Sequence, residues 1–192
     1  MASVTAAPAG KGLGIPTIYI AASAIALIAM FVAIFGSSNW FLRWVHVMSG
    51  VLWTGIDLFL GFVLGPIMGG LSIPARVEFT TRLMPKMVLI MPTVVTVTLA
   101  AGWQLSTHLG TNLTSYDLHG WIVASFIVVG VMAVIALGLL EPANIAVLTE
   151  MKKPRPNPEV IEKLMKRFIY TAGATGLMQV ATLIIMTKLA AG

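Results

Sequence analysis

The sequence predicts an all-helical integral membrane protein, a single domain over residues 1–192 built as a five-transmembrane-helix bundle. Three observations carry this. The 192 residues are 58% hydrophobic and only 10% charged, whereas soluble domains are about 25% charged. Five apolar runs are each long enough to cross ~30 Å of hydrocarbon at ~1.5 Å per residue. The basic residues fall mostly between those runs, as the positive-inside bias requires.

The first 15 residues are small, polar and Gly/Pro-containing, and are expected to fray. The first apolar run covers 16–36. With Lys11 ahead of it and Gly36-Ser37-Ser38 behind it, this run also has the outline of a signal peptide. Its length exceeds the 7–15 residues of a signal h-region, which favours a true helix. The second run, 40–65, opens with aromatic residues suited to an interface. The third is 84–107 and contains Met91-Pro92, an expected kink where Thr93 and Thr96 can satisfy freed carbonyls. The fourth is 121–140, where Glu141-Pro142 reads as a helix stop. The fifth is 168–189, with Ala172, Gly173 and Gly176 as a small-residue surface for close helix contact.

Lys and Arg set the expected orientation. Arg76, Arg82 and Lys86 follow the second run, and Lys152, Lys153, Arg155, Lys163, Lys166 and Arg167 follow the fourth. The connection 106–120 has neither residue. The N-terminus is therefore predicted cytoplasmic and the C-terminus external, in a prokaryotic cytoplasmic (inner) membrane. Residues 153–158 read as an extended, polyproline-like turn. Residues 158–167 then read as a short cytoplasmic amphipathic helix between spans 4 and 5, with Asn157 as N-cap, Pro158 in the first turn, and Val160, Ile161, Leu164 and Met165 on its apolar face.

Composition also excludes classes of function. With no cysteine there are no disulfides, no C-x-x-C-H haem attachment and no cysteine-ligated iron–sulfur cluster. A redox centre would need His, Met or carboxylate ligands, or would belong to a partner. The net charge of +5 follows from the loops and gives no reason to expect nucleic acid. There is no phosphate-binding G-x-x-x-x-G-K, no G-x-G-x-x-G and no H-E-x-x-H.

The chemistry concentrates in the second run. Arg43, His46, Gly50, Trp53 and Asp57 advance by 3, 4, 3 and 4 residues and so share one helix face. Ionisable groups in hydrocarbon cost roughly 2.5–3.5 kcal/mol on insertion scales and are usually kept for function. An imidazole, a small residue beside it and a cation nearer the interface suit haem b: His46 for iron, Gly50 for the porphyrin plane, Arg43 for propionates and Trp53 packing on the macrocycle. His108 and His119 end and open neighbouring runs on the same predicted side, with Tyr116 and Asp117 close by, and either histidine is a candidate second ligand. A copper site using a histidine with Met48 is a further option. The alternative is structural: His46 bonding another helix, the glycines permitting packing and Arg43 snorkelling. Asp57 lies ~16 Å deeper than His46. It reads as polar packing or part of a proton path, with Thr93, Thr96 or Gln179 as partners.

Arg43-Trp44-Val45-His46-Val47 followed by Gly50-Val51-Leu52-Trp53-Thr54-Gly55 resembles the R-W-x-H-V…W-x-G helix of the membrane domain in bacterial urate-oxidase-type cytochromes. More loosely, it is similar to the copper-resistance D family and to the four-helix membrane protoporphyrinogen oxidases. In the last of these an R-L…P…G pattern follows, and Arg82-Leu83-Met84-Pro85 and Gly102 can correspond. The likeness covers residues 40–107 and implies a bundle that binds haem b through His46. The chain departs from the first family in having no c-type haem motif. It departs from the oxidases in lacking a lysine on the fourth span and in having an extra first span. The leading expectation is a membrane cytochrome b-like subunit, binding haem near the external face and passing electrons within a respiratory or oxidase complex. Its partners would be other membrane subunits, lipid and an external cytochrome or copper protein. The alternatives are a cofactor-free accessory subunit, a protoporphyrinogen oxidase or a copper-handling protein.

Overall fold

The computed structural model describes residues 15–108, 116–151, 153, 155 and 157–191, with the side chains of 116–119 outside that set. Among the described residues the chain is helical, without strands, and five helices are long and apolar enough to cross a membrane. The expectations for residues 1–14 and for much of the proline-rich turn lie outside the described residues.

Helix α1 is Thr17–Phe35 and α2 is Asn39–Leu58. Ser38 caps α2, its Oγ accepting from the Phe41 N–H at 3.2 Å. A π-helical segment, Phe59–Leu64, joins α2 to α3, Gly65–Gly70. Helix α4 is Ile73–His108 and α5 is Tyr116–Ile135. A second π-helical segment, Ala136–Leu140, leads into α6, Glu141–Met151, and α7 is Pro158–Ala191. The five spans follow the five apolar runs, but four of them extend to 32–36 residues, about 50 Å at ~1.5 Å per residue.

Three expectations are corrected by that length. Residues 66–83 are mostly helix, with only Leu71-Ser72 between α3 and α4. The charges there do not break the helix, and Glu78 pairs with Arg82 at 2.6 Å one turn along it. Glu141-Pro142 is not a stop, because α6 continues for 11 residues. Residues 158–167 are not a separate surface helix but the opening turns of α7, ahead of its apolar run. Asn157 caps those turns, its Oδ1 accepting from Glu159 N–H at 2.9 Å, and Ile161 and Met165 enter the protein core rather than facing lipid.

The two π segments explain how prolines are tolerated. Gly65 N–H donates to Leu60 O and Glu141 N–H to Ala136 O, each reaching five residues back. Each donor directly precedes a proline, Pro66 or Pro142. In α geometry a proline ring strikes the carbonyl four residues back and supplies no N–H; the widened turn makes room for it. Helix α4 instead runs through Pro85 and Pro92 as one helix. There Thr93 Oγ1 donates to Leu89 O at 2.7 Å, while Thr96 points outward.

Helices α4 and α7 are the most buried and form the centre. Helix α1 lies on α2 and α4, and α5 with α6 lies on α7 and α4. The main core runs from Trp53 and Met91 through Met132 and Phe168 to Ile161. A smaller core of Met30, Ala33, Leu42, Val45, Val97 and Ala101 joins α1, α2 and α4. Closest approach comes where α2 and its π segment cross α7. A Cβ on Gly61 would collide with the Gly173 backbone, and one on Gly176 would stand 3.0 Å from Leu58 Cδ2. The small-residue surface of the fifth span therefore lets two backbones touch.

Candidate functional site

The shared face of α2 is divided between two partner helices. At the end where α2 begins and α4 finishes, half-buried His46 turns toward α4. Its Nδ1 lies 3.0 Å from the Thr98 carbonyl oxygen. A carbonyl only accepts, so Nδ1 carries the proton and Nε2 keeps a free lone pair. Gly102 makes this possible: a Cβ there would stand 2.7 Å from His46 Cε1 and 3.0 Å from Nδ1. The imidazole thus lies against the bare backbone of α4, with Val45 and Ala101 of the smaller core as sequence neighbours. Metal-binding histidines usually orient one ring nitrogen in this way, by donating the other N–H to a carbonyl or carboxylate.

The other residues expected at His46 are only partly assembled there. Arg43 is exposed one turn nearer the start of α2 and has no ion-pair partner among the described residues. Gly50 faces α4, where a Cβ would make ordinary contact with Thr98 Cγ2 at 3.6 Å. The open backbone beside the imidazole is Gly102, not Gly50. Trp53 is 3% exposed within the main core, so its ring packs the bundle rather than the His46 surface. Met48 is exposed, and two residues apart on a helix do not face one another, so no His46–Met48 copper pair forms. His108 is exposed at the end of α4, with its Nε2 2.8 Å from Gln104 Nε2. It lies six residues beyond Gly102, ~9 Å along and ~120° around the helix, and does not meet His46. The side chains of His119, Tyr116 and Asp117 lie outside the described residues. Among the described residues there is no group of three or more metal-ligating side chains. Among the described residues, His46 therefore stands alone as a histidine with an oriented ring, and no second histidine meets it.

Three turns deeper, Asp57 is fully buried and turns toward α7. Thr175 Oγ1 and Gln179 Nε2 donate to Asp57 Oδ2 at 3.1 and 2.8 Å. Of the partners expected for Asp57, Gln179 is present. Thr93 is spent on its own helix and Thr96 faces out, so neither reaches Asp57. Thr175 was not anticipated, although it stands four residues before Gln179 on α7 and so shares its face. Asp57 Oδ1, Gln179 Oε1 and Trp53 Nε1 are buried without hydrogen-bond partners.

The opposite end carries the basic residues and is held by ion pairs. Arg76 Nε donates to Leu71 O at 2.8 Å, Nη2 to Gly69 O at 2.7 Å and Nη1 to Glu162 at 2.6 Å. Arg76 therefore caps α3 and ties it to α7. Lys166 also pairs with Glu162, at 2.7 Å. Lys166 first, and then Arg76, hold the Glu162 carboxyl below the usual carboxylate range. Lys153, helped by the Asn157 N–H, does the same for Glu150 near the end of α6. A cleft of about 330 Å³ opens here among Gly61, Gly65, Arg76, Glu162 and Tyr170. Comparison with known families, characterised proteins and solved structures gives no match.

Proposed function

We propose that the chain is a multi-pass membrane subunit that binds one haem b through His46 and passes electrons within a larger membrane complex. The observation that supports this reading best is the His46 ring, oriented by the Thr98 carbonyl and backed by Gly102, with Nε2 left free. The haem supplies one-electron chemistry when bound. His46 Nε2 would ligate its iron, with the Thr98 carbonyl fixing the tautomer and raising ligand basicity, and exposed Arg43 would pair with a propionate. A second ligand would come from His119, whose side chain lies outside the described residues, or from a partner, because His108 lies on another face of α4. With the Arg76 end on the cytoplasmic side of a prokaryotic inner membrane, the haem sits toward the external side, within reach of an external cytochrome or copper protein.

The test is the pigment of the detergent-purified chain after expression with ample haem. A Soret band, about one haem per chain, and loss of the band in His46→Ala and Gly102→Leu with helicity retained are the expected results. A chain free of haem and copper but bound to other membrane subunits would overturn the reading, leaving His46 as a helix tie in an accessory subunit. Copper in the metal analysis, or oxidation of protoporphyrinogen by the isolated chain, would overturn it in favour of those chemistries.

A further inference from the structure

Asp57 lies where a bare carboxylate has no counter-charge. The elements packed on α2 bring none: α4 has no titratable residue between Lys86 and His108, α7 none between Tyr170 and Lys188, and α1 none beyond Tyr19. On α2 itself the nearest titratable residue is His46, three turns away and bonded to α4. The second outer helix, α5 with its π segment, has none between His119 and Glu141.

The hydrogen bonds around Asp57 are lopsided. Both α7 donors go to Oδ2, while Oδ1, Gln179 Oε1 and, one turn back on α2, the Trp53 Nε1–H are buried without a hydrogen bond. Two unpartnered acceptors lie on the same two side chains that already share a bond through Nε2 and Oδ2. The Trp53 N–H can serve Oδ1 but not the Gln179 acceptor; a single proton on Oδ1 serves Oε1, neutralises the acid and still leaves Oδ1 a lone pair for Trp53. Acid and amide then meet through two antiparallel bonds. A metal cation does not fit equally well: hard divalent cations take about six oxygens or more, and only two are free here.

We propose that Asp57 is an intramembrane proton-binding site, a neutral acid whose Oδ1–H closes a two-bond pair with Gln179 and locks α2 to α7. Uptake forms one O–H bond and moves no electrons. Release sets a carboxylate against the Gln179 carbonyl oxygen and loosens the contact beside Gly176. This inference does not depend on haem.

Infrared spectroscopy of the full chain in lipid tests it. The sequence has only two aspartates, Asp57 and Asp117, so carbon-13 aspartate labelling isolates the signal, with Asp117→Asn as control. A protonated-carboxyl band at neutral pH is expected that shifts with the label, survives Asp117→Asn, disappears in Asp57→Asn and moves to higher frequency in Gln179→Leu. Asp57→Asn should keep the melting temperature within ~2 °C, because its carboxamide reproduces the donor and acceptor of the neutral acid. Absence of a label-sensitive carboxyl band in the wild type, or a band unmoved by Gln179→Leu, would overturn the proposal. The labelled wild type decides the question even if Asp57→Asn does not fold.

Discussion

His46 and Asp57 stand on one face of one helix, yet α2 uses them in opposite ways. His46 is half-buried, bonds to a backbone carbonyl of α4 and keeps one nitrogen free near the surface. Asp57 is fully buried, bonds to two side chains of α7 and keeps its free oxygen inside the bundle. The first region can receive a ligand from outside the chain, whereas the second can be completed only by something as small as a proton. Sharing a helix face is therefore a weak guide to sharing a site. What separates the two is the neighbour each meets, and both neighbours are admitted by glycines: Gly102 at His46, Gly61 with Gly173 and Gly176 near Asp57.

The comparison can be broken most severely on the Asp57 side. Gly61→Leu forces side-chain volume between two touching backbones and should destabilise the bundle by about 3 kcal/mol, read as lost folded yield and a lower unfolding midpoint in detergent. Thr175→Val with Gln179→Leu strips the fully buried Asp57 of both its α7 donors. It should cost about 2 kcal/mol in the same assay while leaving any haem spectrum intact. His46→Leu removes one half-buried tie and should cost only about 1 kcal/mol, yet abolish the pigment. If His46→Leu and the Thr175/Gln179 double variant cost the same, the two regions are equivalent packing and the distinction fails. The smallest effect is expected at neither region. Glu150 and Glu162 have depressed carboxyl values, so their contribution is present above about pH 4.3 and is lost as pH falls through the lower folded value. Hydrogen-exchange protection at the start of α4 and α7, corrected for the intrinsic rate, should fall in acid, and Glu162→Gln should blunt that dependence without affecting His46 or Asp57.

The sequence made the helical class and the five apolar spans legible, because hydrocarbon length and composition are local properties. Helix length was hidden, since charges at Arg76, Glu78 and Arg82 look like loop residues until ion pairs and α7 hold them in helix. The residues facing inward on α2 could be read from 3–4 spacing. Their partners could not, because Thr98, Thr175 and Gln179 lie 52, 118 and 122 residues away in sequence from the groups they bond. Gly102 was visible only as one letter in a resemblance, and its role depends on where an imidazole from another helix comes to rest.

The π segment between α2 and α3 has a consequence for how this chain tolerates change in length. A turn closed five residues back holds about one residue more than an α-helix needs, roughly 100° of rotation. Deleting one residue within Phe59–Leu64 would therefore remove the extra residue and leave Gly65 and Gly69 facing α7, at the cost of the room that the wide turn makes for Pro66. A deletion in the regular part of α2 beyond His46 would instead turn the whole Arg76 end by roughly 100° while leaving His46 untouched. The same length change placed ahead of Ser38 would be absorbed by a turn.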